Sequence, residues 1–148
     1  MPWSPFVTVA AVIRQDDRYL VVEEQPDGAA VINQPAGHLE FGETLLQAVE
    51  REVLEETGRR FTPTGLVGIY QWSLPGTDRT YLRFCFCGDV SDPIPDRRLD
   101  PDILATHWMT HDQIAGGELP VRSPLVLRCL SDASHSPAIG LEVLNALS

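Results

Sequence analysis

Basic residues are scarce. The chain has 11 Lys+Arg against 21 Asp+Glu in 148 residues, a formal net charge of −10 and a pI near 4.6. Nucleic-acid backbones are held by clustered Lys and Arg, so this balance argues against a nucleic-acid partner, and a polyanionic small molecule would need a cation to bridge it to the chain. Long apolar runs are missing too: none approaches the roughly 18 residues needed to span a bilayer. Met1-Pro2-Trp3-Ser4-Pro5 lacks the basic region that opens a secretory signal. A cytoplasmic protein without a membrane partner is expected. Cysteines are few and odd in number, Cys85, Cys87 and Cys129, and none are spaced Cys-x-x-Cys. That excludes a disulfide framework and a zinc site as first readings and leaves reduced, mostly buried thiols. No repeat, low-complexity segment or long linker interrupts the chain, and 43% of it is apolar, so residues 1–148 read as a single domain with a sizeable core.

The apolar, β-branched run Phe6 to Ile13, the polar turn Arg14-Gln15-Asp16-Asp17 and a second run from Tyr19 to Val22 predict a hairpin feeding a sheet. Pro26-Asp27-Gly28 breaks the chain, and a loop through Gly37 leads to Thr44, a candidate N-cap. Between Leu45 and Thr57, Leu45, Leu46, Ala48, Val49, Val53 and Leu54 follow helical spacing, with Gly58 as the stop. Strands are predicted from about Leu66 to Leu74 and from Tyr81 to Val90, around the turn Pro75-Gly76-Thr77-Asp78. A loop rich in proline and aspartate, Asp92 to Asp102, precedes a strand from Leu104 to Met109. A modest helix begins near Thr110, a more apolar one covers Pro124 to Asp132, and the tail from Ala133 is weakly patterned.

Four carboxylates, Glu50, Glu52, Glu55 and Glu56, crowd the acidic side of the first helix. At about 100° per residue, Glu52 and Glu56 point the same way, with Glu55 about 60° to their side. Like charges one turn apart repel by a few tenths of a kcal/mol, so the cluster invites a hard cation. Mg²⁺ suits it, because that ion keeps several waters and takes one or two carboxylates plus substrate phosphates. The plain alternative is a solvated acidic face.

The wider pattern decides between them. Five residues separate Gly37 from Glu43, seven separate Glu43 from Arg51, and Arg51-Glu52-Val53-Leu54-Glu55-Glu56-Thr57-Gly58 follows without a gap. This resembles the Nudix box, the signature of the Nudix hydrolases, with one departure: Arg59 stands where the family usually has an aliphatic residue. The resemblance implies the Nudix fold, an α/β architecture with a mixed β-sheet between α-helices, and the acidic helix packed by Leu46, Val49, Val53 and Leu54. It implies Glu52 and Glu56 as the main metal ligands, Glu55 assisting, Gly37 contributing its carbonyl oxygen, and Arg51 fixing a glutamate. Glu43 is either an anchor or a plain loop acid. The cofactor is then Mg²⁺ or Mn²⁺, and the partner a small phosphorylated substrate. The site is a catalytic one, with Glu56 the first candidate for the base and Asp100 and Asp102 the runners-up.

The segments VTVAAVI, YLVVEE, NQPAGHLE, YQWSLP, YLRF and RSPLV are similar, in the same order, to a group of bacterial phosphatases within that family. This implies removal of terminal phosphate from nucleoside tri- and diphosphates and from hydroxymethylpyrimidine pyrophosphate, an intermediate of thiamine synthesis. Trp72 offers a stacking face for a ring. Arg83 is the one cation in an apolar strand and needs an anionic partner, phosphate or carboxylate. Gln34 and His38 flank the Gly37 loop within reach of a leaving group, and Arg122 and Ser123 open the last helix, where a phosphate or an ordinary cap fits. Pro75, sixteen residues beyond the box, matches a spacing common among ADP-ribose pyrophosphatases and keeps that activity as the alternative. A non-catalytic nucleotide-binding regulator is the third reading, opposed by the undegraded box. Monomer and homodimer both remain open.

Overall fold

The computed structural model describes residues 2–147. Seven strands, β1 (Phe6–Gln15), β2 (Arg18–Glu24), β3 (Val31–Asn33), β4 (Ala36–His38), β5 (Phe61–Ser73), β6 (Thr80–Val90) and β7 (Ile103–Thr110), form one mixed sheet. Three helices, α1 (Leu45–Thr57), α2 (His111–Gly116) and α3 (Pro124–His135), and a 3₁₀ turn at Leu141–Val143 complete the order. β1 is the hub. It runs parallel to β6 from Phe6↔Tyr81 to Ile13↔Gly88 and antiparallel to β4 from Thr8↔His38 to Ala10↔Ala36. Only its last two residues, Arg14 and Gln15, pair with β2, so the predicted hairpin is a corner where the sheet turns toward β2, β3 and β7.

Alternation along the strands separates two cores. Val9, Ala11, Ile13 and Phe86 face α1 and pack with its Ala48, Val49 and Val53. Ala10, Val12 and Cys85 face the other way and meet Ile114 of α2 and Val126, Cys129 and Leu130 of α3. The sheet is therefore sandwiched between helices, as the sequence predicts, and the three thiols lie free on the α3 side.

α1 begins and ends where its residues dictate. Thr44 Oγ1 accepts from the Gln47 amide at 3.1 Å while the Thr44 amide donates to Gln47 Oε1 at 2.9 Å, a reciprocal cap. At the other end Gly58 takes φ 70°, a left-handed conformation open to glycine, and its amide donates to the Leu54 carbonyl at 3.0 Å. Val49 and Val53 are fully buried, each contributing about 2 kcal/mol to the docking of the helix. Leu54 departs from expectation: one helical step beyond Val53, it turns off the apolar stripe and is half-exposed. Arg59 keeps the helix end packed although it is not aliphatic. Its guanidinium lies over the Trp108 ring at 5.5 Å and donates to the Ser91 carbonyl at 3.0 Å.

Five segments differ from the sequence-based reading. β3 and β4, three residues each around Pro35, are too short to show periodicity. β5 starts at Phe61, with register shifts absorbing Pro63 and a second irregularity before Gly68. α3 continues to His135. The tail, weak in pattern, is tied down by Ile139 bonding Leu66 in both directions at 2.8 Å, with Leu141 and Leu144 against the α1-side core. Among the described residues no helix is long and apolar enough to cross a membrane.

Candidate active site

The acidic face of α1 meets the sheet at its β4 edge, and the two are fitted to each other. Glu52 lays its carboxylate against Gly37, occupying the space a Cβ at 37 would fill. Glu56 Oε1 accepts from the Ala36 amide at 2.9 Å. Both acids are buried, at 8% and 7% exposure. Arg51 ties the outer side together. It donates to Glu43 through Nε at 3.0 Å and Nη2 at 2.8 Å, to Glu52 Oε1 at 2.7 Å, and to the His38 carbonyl at 3.0 Å, with Glu55 at 3.4 Å. Glu43, whose Oε1 also accepts from the Glu40 amide at 2.8 Å, is thereby the anchor for Arg51 and not a plain loop acid.

The charges are unevenly compensated. The Arg51 guanidinium beside Glu43 holds that carboxyl below its ordinary range. Glu52 is pushed up by burial, against the opposing pull of Arg51. Glu56 is pushed up to about 9, first by burial and then by the charges of Glu52, Glu24 and Asp100, with only the Ala36 amide opposing. A carboxyl so far from its ordinary 4.5 marks a place where positive charge is wanted. The oxygen donors fit a hard divalent cation. Among the described residues no group of three His, Cys, Asp or Glu side chains is placed to hold a metal ion by itself.

Asp100 joins this cluster from the loop before β7. Its amide donates to the Glu55 carbonyl at 2.8 Å, and its charge acts on both Glu52 and Glu56. Asp102 is exposed, and its amide caps Asp100 Oδ1 at 3.2 Å. The remaining candidates gather on the α3 side of the sheet. Gln34 is fully buried. Its Nε2 donates to the Ala11 carbonyl at 3.1 Å and its Oε1 accepts from Arg83 Nη1 at 2.9 Å. Arg83 thus has an amide for a partner where the sequence calls for an anion, and its buried Nε has no hydrogen bond, nor has Thr8 Oγ1, its register neighbour on β1. Both side chains share the α3 side of the sheet, away from α1. At the open end of that side His38, Phe6, Tyr81 and Trp72 stand in a row. His38 meets the Phe6 ring edge-on at 5.6 Å, Phe6 stacks on Tyr81 at 5.5 Å, and Tyr81 on Trp72 at 6.0 Å.

Ser123 is an ordinary N-cap, its Oγ accepting from the Leu125 amide at 3.2 Å, and Arg122 is bound to Glu24 at 2.6 Å. Glu24, buried at the end of β2, is the site neighbour that sequence reasoning missed; nothing in the alternation of β2 marks its last residue as different. A cleft of about 700 Å³ over His107, Met109 and Ile114 contains none of the candidate residues.

Comparison with known proteins identifies the family. A family model for the NUDIX domain matches residues 4–129. The phosphatase NudJ of Escherichia coli K12 is 40% identical over 139 residues, covering 91% of this chain and 89% of NudJ. A NUDIX hydrolase from Nitrosomonas europaea superposes with a TM-score of 0.93 at 49% identity, covering 97% of this chain and 98% of that one. An ADP-ribose pyrophosphatase from Streptococcus suis has the same fold, with a TM-score of 0.67 at 19% identity, over 92% of this chain and 96% of that one. The chain belongs to the Nudix family and is a hydrolase acting on phosphoric anhydrides.

Proposed function

We propose that this enzyme removes the terminal phosphate from nucleoside tri- and diphosphates and from hydroxymethylpyrimidine pyrophosphate, using Mg²⁺ or Mn²⁺, and that residues 1–148 work as one catalytic unit. The observation that carries the reading is the convergence of two buried acids, Glu52 and Glu56, on the β4 edge at Gly37 and Ala36. Likeness to a phosphatase over nine-tenths of the chain supports the terminal cleavage.

Glu52, Glu56 and the Gly37 carbonyl would hold the cation, with Glu55 assisting. When bound, such an ion neutralises phosphate oxygens and acidifies an attacking water. Glu56 is the first candidate for the proton acceptor, because it is one of the residues that would hold the cation and so would stand beside the water that the cation activates. Asp100 is the second candidate, since its charge reaches both acids, whereas exposed Asp102 serves to orient Asp100. Arg51 acts on the reaction by fixing Glu52.

The leaving group takes the other side. The row of His38, Phe6, Tyr81 and Trp72 offers a stacking surface for a heteroaromatic ring. Arg83, on the α3 side, is better placed for that ring than for the phosphates at α1, and Gln34 orients it from within. No observation favours ADP-ribose: Pro75 lies in an exposed turn where the Thr77 amide bonds the Leu74 carbonyl at 3.1 Å.

A time course with Mg²⁺ over GTP, GDP, hydroxymethylpyrimidine pyrophosphate and ADP-ribose tests the reading. Inorganic phosphate from the triphosphate and then the diphosphate is expected. Pyrophosphate from GTP, or AMP from ADP-ribose in preference, would overturn it.

A further inference from the structure

The segment joining β6 to β7, residues 91–102, has no core of its own: Ile94, Leu99 and Asp100 are half-buried and the rest are exposed. A segment with so few buried contacts opens locally unless something fastens it. Two backbone bonds lay it on the end of α1, where helix carbonyls lack intrahelical partners. The Ile94 amide donates to the Gly58 carbonyl at 2.9 Å, and the Asp100 amide to the Glu55 carbonyl at 2.8 Å. Leu99 packs where Gly58 has no side chain. Asp100 thus stands against the turn of α1 that carries Glu52, Glu55 and Glu56.

Arg59 reaches both ends of this segment. Its Nη1 donates at 3.0 Å to the carbonyl of Ser91, where the segment leaves β6, and its guanidinium lies over the ring of Trp108, on the strand that follows, at 5.5 Å. Next to it the Arg60 amide donates to Ser91 Oγ and the Ser91 amide to the Arg60 carbonyl, both at 3.0 Å. Trp108 packs against the α1-side core and so forms a fixed wall. An aliphatic residue at 59 would cover the ring but leave the Ser91 carbonyl without that donor. We propose that Arg59 is a positioning residue for the hydrolysis: by tying Ser91 to Trp108 it holds residues 91–102 on the end of α1 and keeps Asp100 against the turn that carries the acids. This rests on the reading above that those acids hold the cation and that Asp100 takes part beside them. Arg59 acts only through the segment it fastens.

Arg59→Met keeps apolar cover on Trp108 and loses the donor, which separates the clamp from helix packing. In the metal-free variant, amide hydrogen exchange at Ile94 and Asp100 is expected to quicken by roughly tenfold, the worth of one charge-assisted hydrogen bond, with Val49 and Val53 exchanging as in the wild type. With Mg²⁺, kcat for whichever phosphoric anhydride the wild type cleaves is expected to fall by about tenfold in Arg59→Met. Made in Asp100→Asn, which keeps the backbone bond to Glu55, the same change should cost less than about twofold, because residues acting through one path are not additive. Arg59→Lys, which keeps a cation over the ring, should recover part of both losses. Unchanged exchange at Ile94 and Asp100 in Arg59→Met would overturn the proposal. So would an equal fall in kcat in both backgrounds, the mark of a merely structural residue, or an Asp100→Asn enzyme as active as the wild type. Failure of the terminal-phosphatase reading would show instead in the products released and leaves both measurements intact.

Discussion

Gly37 and Glu52 share one volume: the carboxylate of Glu52 fills the space that a side chain at 37 would claim. The glycine is required by this close approach and not by its backbone, since its φ lies outside the left-handed region occupied by Gly58. Gly37→Ala should therefore leave the sheet in place and displace Glu52. Activity is expected to fall by roughly 100-fold with a higher Mg²⁺ requirement, in line with loss of a positioned ligand. Mg²⁺ titrations of activity would show it, and unchanged half-saturation would count against Glu52 as a ligand.

Glu56 predicts a pH dependence of stability. In the cation-free protein its carboxyl binds a proton up to about pH 9, whereas the unfolded chain releases it near 4.5. The folded state holds the extra proton between those values, so the stability from this group is complete below 4.5 and is lost as pH rises through about 9. Thermal melts in EDTA should fall between about pH 6 and pH 9, and Glu56→Gln should flatten that fall. Glu52, also raised, acts in the same direction. Melting temperatures indifferent to pH across this window in the wild type would refute the buried, protonated Glu56.

Arg51→Lys removes the planar fork that reaches Glu43, Glu52 and the His38 carbonyl together. A lysine ammonium supplies one point charge and cannot reproduce that geometry. Metal affinity or turnover is expected to drop by about 10- to 100-fold, the usual effect of losing an outer-shell partner, with KM for the nucleotide little changed. A change confined to nucleotide KM would place Arg51 on the substrate instead.

Trp72→Ala should separate binding from chemistry. Loss of a base-stacking face costs about 1–3 kcal/mol, so KM for nucleotides is expected to rise by roughly tenfold while kcat holds. Steady-state kinetics distinguishes this from core packing, which would appear as a lower melting temperature without a change in KM.

What the sequence discloses and what it conceals follow from distance along the chain. α1 is legible to the residue because its caps, Thr44 and Gly58, and its apolar stripe are all local. The cluster on α1 is legible for the same reason, helped by a fixed spacing back to Gly37. β3 and β4 carry three residues each, too few for any period to register. Arg83 finds Gln34 across 49 positions, and Arg122 finds Glu24 across 98. Those partners depend on strand register and on where α3 docks, so the anion sought for Arg83 proves to be an amide. Leu54 belongs to the apolar spacing yet misses the core, because the helix is buried along a stripe narrower than its apolar content.

Single-turnover phosphate release by Glu56→Gln, with Mg²⁺ saturating and circular dichroism recorded on the same sample, bears most directly on the site. The variant should keep the wild-type spectrum and lose roughly a thousandfold in rate, the range of a missing general base. A folded variant that turns over at near the wild-type rate would remove Glu56 from the chemistry.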